Sequence, residues 1–183
     1  MEGCEEYVSQ DGVTTVYTRE GQIVAKRAKT SLFERWFNAV GTPHRDDDKP
    51  AVTIYKGEKL QYQQWLQNGS SHREKGPACI TYDGNGTVVS RQWSKQGKPH
   101  REDGPAFVAC DGNENPHREQ WCIDGNLHRE DGPADISYVD GKITVQKWYK
   151  DGKEIAAPVS VIEQQLAIIE RALAAIHAEL AKK

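Results

Sequence analysis

Four His-Arg pairs, at 44–45, 72–73, 100–101 and 128–129, recur every 28 residues and are the candidates for chemistry in this chain. A guanidinium fork binds carboxylate or phosphate, and an imidazole adds a donor or a proton switch. Set side by side by a repeat, His44, Arg45, His72, Arg73, His100, Arg101, His128 and Arg129 form two rows. Such rows could hold an acidic segment of a partner protein, a nucleotide or a polyanion. The same residues admit an internal role, with each histidine packed on a neighbouring tryptophan and each arginine paired to an acid of its own motif. Every one of these arginines has an acid one or two residues behind it. Histidines one hairpin apart lack the company usual at metal centres, so neither metal nor cofactor is expected. No Gly-rich phosphate loop, nucleophile elbow or H-E-x-x-H is present, and the chain is not expected to be an enzyme. His117-Arg118-Glu119 imitates the motif out of phase and reads as coincidence.

The pairs belong to four units beginning at Gly41, Gly69, Gly97 and Gly125, with tryptophans at 65, 93, 121 and 148. A fixed period of this size marks a stacked-repeat architecture, in which each unit buries its apolar face against its neighbours. After each Pro-Ala comes a short alternating run. Ala78, Ile80, Tyr82, then Ala106, Val108, Cys110, then Ala134, Ile136, Tyr138 mark the inward face of a half-buried strand. Asp-Gly at 83–84, 111–112 and 140–141 predicts tight turns, with glycine supplying positive φ. A second strand then runs to the tryptophan. Asn68-Gly69, Gln96-Gly97, Asp124-Gly125 and Asp151-Gly152 predict another turn back into His-Arg. Within Gly-Pro-Ala, the glycine is expected to take a left-handed turn and the proline to open a strand. The expected fold is therefore mainly β: tandem hairpins in an extended antiparallel meander or solenoid over 41–155. Unit one departs, with one extra residue between His44 and Pro50 and Asp48-Lys49 in place of the glycine.

Residues 1–40 predict an N-terminal cap holding one hairpin. Ser31 and Glu34 spell a capping box that predicts a short helix over 31–39. Trp36, 29 residues before Trp65, allows a degenerate extra repeat instead. Residues 156–183 change character. Val159, Ile162, Leu166, Ile169, Leu173, Ile176 and Leu180 step by 3 and 4, a heptad seam on a helix about 39 Å long. Leucine at one seam position with isoleucine at the other favours more than two strands, so homo-oligomerisation is expected. The alternative folds this helix over the chain's own sheet.

The formal charge of −3 announces neither nucleic acid nor membrane as partner. No stretch is long and apolar enough for a membrane span or a secretory leader, and a cytoplasmic location is expected. Cys4, Cys79, Cys110 and Cys122 form no C-x-x-C pair, which predicts reduced thiols.

The unit Trp…Asp/Asn-Gly-x-x-His-Arg-x-Asp-Gly-Pro-Ala resembles the degenerate MORN-type repeats of bacterial and phage proteins, including the MORN-variant antitoxins. The resemblance covers 41–155. Ordinary MORN units are shorter and lack the His-Arg pair, so their lipid binding is not carried over. What the resemblance implies is a hairpin array used for protein contact in a bacterial or phage setting. The expectation is a non-enzymatic oligomer that binds a protein partner as an inhibitor, of antitoxin or anti-defence type. A nucleotide or polyanion binder and a structural assembly protein are the alternatives.

Overall fold

A computed structural model describes residues 3–9 and 12–180. Four strands precede the first unit: β1 (Glu5–Val8), β2 (Thr14–Arg19), β3 (Gln22–Lys29) and β4 (Phe33–Asn38). Unit one holds β5 (Val52–Lys56), β6 (Lys59–Gln64) and β7 (Leu66–Gln67). Unit two holds β8 (Ser70–Ser71), β9 (Cys79–Tyr82), β10 (Val88–Gln92) and β11 (Ser94–Lys95). Unit three holds β12 (Lys98–Pro99), β13 (Phe107–Cys110), β14 (Pro116–Gln120) and β15 (Cys122–Ile123). Unit four holds β16 (Asn126–Leu127), β17 (Asp135–Val139), β18 (Lys142–Lys150) and β19 (Lys153–Ile155), followed by α1 (Val159–Leu180).

The long strands make one 13-stranded antiparallel meander, in the order β1-β2-β3-β4-β5-β6-β9-β10-β13-β14-β17-β18-β19. The expected hairpin meander is therefore present. Sequential neighbours pair because no connection is long enough for a crossover. The two-residue strands form three separate hairpins beside this sheet, β7–β8, β11–β12 and β15–β16. Their turns carry positive φ at both central residues: Asn68-Gly69, Gln96-Gly97 and Asp124-Gly125, and Asp151-Gly152 repeats this. That is the conformation whose twist matches the flanking strands. The tips stack, since the amides of Gly69, Gly97, Gly125 and Gly152 donate to the carbonyls of Pro43, Ser71, Pro99 and Leu127, each one hairpin tip earlier in the chain.

The local structure departs from expectation first at residues 31–39. Residues 33–38 are strand, not helix: a capping box stabilises only a helix end, whereas β4 gains ladders with β3 and β5 on both edges. Trp36 thereby takes the position of an extra repeat tryptophan. Its amide donates to Ala51 O, as Trp65, Trp93 and Trp121 donate to the carbonyls of Ala78, Ala106 and Ala134. The Asp-Gly turns at 83–84 and 111–112 also differ from expectation, because Gly84 and Gly112 lack positive φ. Asp83 and Asp111 instead accept amides two and four residues on, building longer loops from side-chain caps. These bonds hold both carboxyls below the usual range.

Burial is thin and follows the repeat. Ala51, Ala78, Ala106 and Ala134 are fully buried, and Trp36 and Trp65 nearly so. At the N-terminal end Tyr17 stacks on Trp36 at 5.4 Å. Helix α1 has no buried residue, and its seven seam side chains are 48–69% exposed. The seam therefore does not pack over the chain's own sheet. No described helix is long and apolar enough to cross a membrane.

Candidate functional site: the histidine–arginine loops

Each loop begins where the small hairpin hands the chain back to the large sheet. The amides of His44, His72, His100 and His128 donate to the carbonyls of Trp36, Trp65, Trp93 and Trp121. Those of Arg45, Arg73, Arg101 and Arg129 donate to Leu66, Ser94, Cys122 and Tyr149 in the following hairpin. The backbone therefore sets all eight side chains in one repeating geometry before any side chain chooses a partner.

The arginines lie flat on tryptophans. Arg45, Arg73, Arg101 and Arg129 carry their guanidinium carbon 4.3, 3.9, 4.1 and 3.8 Å from the ring centroids of Trp36, Trp65, Trp93 and Trp121. Such a contact contributes about 0.5–2 kcal/mol, more as water is excluded. Nη1 of each reaches the carbonyl of the loop proline, at 3.2–3.5 Å from Pro50, Pro77, Pro105 or Pro133. Nε meets a carboxylate: Asp103 for Arg101 and Asp131 for Arg129, both at 2.8 Å. The guanidinium keeps each of these carboxyls below its ordinary range. Arg45 is the variant at the N-terminal end. Burial lowers its guanidinium, and its nearest acid, Glu34, stands 4.0 Å away. These four side chains remain only 18–25% exposed.

The loop glycine has a different role from the one its sequence suggests. Gly76, Gly104 and Gly132 do not have positive φ. A Cβ on Gly104 would stand 2.7 Å from Arg101 Cζ, and one on Gly132 3.0 Å from Arg129 Cζ. The guanidinium is held between the tryptophan ring and the bare glycine Cα, and close approach, not a left-handed turn, selects the residue.

Unit one and unit two share a repair. Unit two carries Lys75 where units three and four have Asp103 and Asp131, so Arg73 has no acid in its own loop at that position. The extra residue of unit one supplies one. Asp47 and Asp48 take φ of 63° and 51°, and Asp48 reaches across to clamp Arg73 at 2.7 and 3.1 Å. The Asp48 carbonyl also accepts the Trp65 indole N–H at 3.0 Å. Arg73 pulls the Asp48 carboxyl below its usual range.

The histidines face the next unit. Backbone amides of Asn68, Gln96, Asp124 and Asp151 donate to Nδ1 of His44, His72, His100 and His128 at 3.0–3.2 Å. For His44 and His72 an accepting Nδ1 assigns the ring proton to Nε2, whereas Nδ1 of His100 and His128 also faces a carboxylate oxygen, of Asp124 at 3.0 Å and of Asp151 at 2.9 Å. Nε2 of His44, His100 and His128 faces Asp46, Glu102 and Glu130 at 3.0, 3.5 and 3.2 Å. Each imidazole thus ties one loop to the turn of the hairpin that follows.

Between loops two and three lies an open cleft of about 590 Å³, lined among others by His72, Lys75, Trp93, Lys95 and His100. Among the described residues Lys75 and Lys95 form no ion pair, while Glu74 and Glu102 stand on the same walls. Two relationships lie outside the sequence expectations, and a third is the extra repeat that the Trp36 spacing allows. Asp48 serves Arg73, a link signalled by Lys75 at an acid position together with the extra residue upstream. Arg118 makes a two-point contact with Asp135 across β14 and β17, so the out-of-phase His-Arg at 117–118 is a sheet ion pair. Trp36 is a member of the arginine-covered series. The heptad residues lie on α1, separate from the loops. Among the described residues no three His, Cys, Asp or Glu side chains are grouped to hold a metal ion.

No family model, curated protein or solved structure matches the chain.

Proposed function

We propose that this protein is a non-enzymatic, cytoplasmic binding protein that self-associates through α1 and presents its hairpin array to a protein partner as an inhibitor. The observation that carries the reading is the uncovered seam: Val159, Ile162, Leu166, Ile169, Leu173, Ile176 and Leu180 lie on one helix with none of them buried. Burying such side chains stabilises an assembly by about 1.5–3 kcal/mol each, and a heptad seam is satisfied by copies of itself. Several arrays on one stem raise avidity without new contacts. The inhibitory role, of antitoxin or anti-defence type, rests on the resemblance of the repeats alone. Light scattering on the full chain tests the central claim. The wild type is expected to have the mass of more than two chains, and Leu166→Asp with Leu173→Asp that of one, with an unchanged β-sheet spectrum. A wild-type monomer at micromolar concentration would remove the reading.

A second reading, a nucleotide or polyanion binder, is supported by Lys75 and Lys95, which line the cleft between loops two and three and form no close ion pair among the described residues. Binding of ADP that weakens with salt and is lost in Lys75→Glu would favour it.

A further inference from the structure

Every junction in the array is built the same way. An arginine of one unit covers the tryptophan of the unit before it. The three residues ahead of that tryptophan pair with the strand that opens the following unit. Tyr62–Gln64 pair with Cys79–Thr81, Ser90–Gln92 with Phe107–Ala109, and Arg118–Gln120 with Asp135–Ser137. The last unit carries one half of this junction without a successor. Ile155 and Ala156 stand three and four residues after the turn glycine Gly152, where earlier units place His and Arg. Arginine carbons lie over Trp36, Trp65, Trp93 and Trp121, whereas no cation covers Trp148 among the described residues. Strand β19 pairs only with Trp148–Lys150. Among the described residues the outer edge of β18 from Lys142 to Lys147 therefore has no partner strand. Beside it opens a cleft of about 440 Å³ lined by Ile143, Thr144, Gln146, Trp148 and, from α1, Gln165.

We propose that this end of the array is a docking site for an extended, arginine-bearing segment of a partner protein. The segment adds as an antiparallel strand along Val145–Lys147 and lays its guanidinium on the Trp148 ring. The proposal rests on the protein-binding reading above and gives the partner its chemistry. Continuity with the internal junctions defines the occupant. In units two to four the covering arginine lies five residues before the alanine that opens the strand, as Arg101 does before Ala106. A second copy is a poor donor, because its four loop arginines are already stacked on its own tryptophans. Pairing two β18 edges is also disfavoured, since it would bring Lys142 and Lys147 of both copies together. Added-strand recognition takes affinity from main-chain bonds and specificity from alternate side chains, and here the arginine provides that specificity.

The probe is a synthetic peptide copying residues 126–139, the segment that covers Trp121 within the array. It is titrated into isotope-labelled full-length protein. Saturable shifts are expected at the amides of Val145, Gln146 and Lys147 and at the Trp148 indole. Replacing the peptide's arginine, Arg129→Ala, should weaken binding by about tenfold, the loss of one cation–π contact. In the protein, Trp148→Ala should weaken binding similarly and Trp148→Phe should retain most of it. Absence of shifts at millimolar peptide, or equal binding by the Arg129→Ala peptide, overturns the proposal. Two further outcomes also overturn it: shifts that follow protein concentration alone, which assign the edge to a second copy, and edge amides already protected without peptide, which assign it to α1. A chain that oligomerises but shows no shifts loses this proposal only; one that binds the peptide as a monomer loses the self-association reading only.

Discussion

Arg101 and Gly104 define each other. The guanidinium lies 4.1 Å above the Trp93 ring, and the space a Cβ on Gly104 would need, 2.7 Å from Cζ, is already occupied by it. The triplet of tryptophan, arginine and glycine is therefore one packing unit repeated along the array, and its members fail together.

Gly104→Ala is expected to destabilise the fold by about 1–3 kcal/mol, the usual cost of overpacking. Gly76→Ala should cost less, because its added Cβ would stand 3.2 Å from its nearest atom, Arg73 Nη1, against 2.7 Å at Gly104. Chemical denaturation of both variants provides the comparison. Equal midpoints for both and for wild type would refute the sandwich.

Alanine in place of Trp65, Trp93 or Trp121 should cost about 3–5 kcal/mol, as truncation of a large packed aromatic does. Trp148→Ala should cost the least of the four, since no arginine covers that ring. Thermal midpoints rank the series, and a Trp148 loss equal to that at Trp93 would contradict the difference between them.

Asp48→Ala should destabilise by about 0.5–1 kcal/mol, the range of a partly exposed ion pair. Adding Lys75→Asp is expected to recover most of that loss by returning an acid to the place that Asp103 and Asp131 occupy in later units. The paired variants form a double-mutant cycle. Additive losses would mean that Arg73 does not exchange one acid for the other.

Acid should weaken the His-Arg loops. Asp48, Asp103 and Asp131 have folded values below their ordinary ones because an arginine bonds the charged form. Carboxyls lowered on folding contribute stability that is present above the unfolded value, about 3.9. That stability is lost as pH falls through the lower folded values. The variant Asp48→Asn/Asp103→Asn/Asp131→Asn should be less stable at pH 7 and show a flatter stability profile below about pH 4. An unaltered acid limb would exclude these pairs as its source.

The repeat, the antiparallel meander and the turns at Asn68-Gly69, Gln96-Gly97 and Asp124-Gly125 are legible in the order of residues alone. Period-two alternation and positive-φ residues are local properties, readable over a few positions. The same order also marks the His-Arg rows and the α1 seam as unusual. What those residues touch depends on the folded array. Residues 33–38 became strand because β3 and β5 offered ladders on both sides, which a capping signal at 31–34 cannot anticipate. Gly104 was required by a guanidinium arriving from three residues earlier, not by its own φ, and the backbone pattern is silent about that approach. Asp48 met Arg73 from 25 residues away because the extra residue of unit one put two aspartates in the left-handed region. Trp148 looks like its three counterparts in sequence, yet it alone lacks a covering arginine, since that arginine would belong to a following unit. Contacts between units depend on how neighbours stack, and stacking is settled only when the whole array has formed.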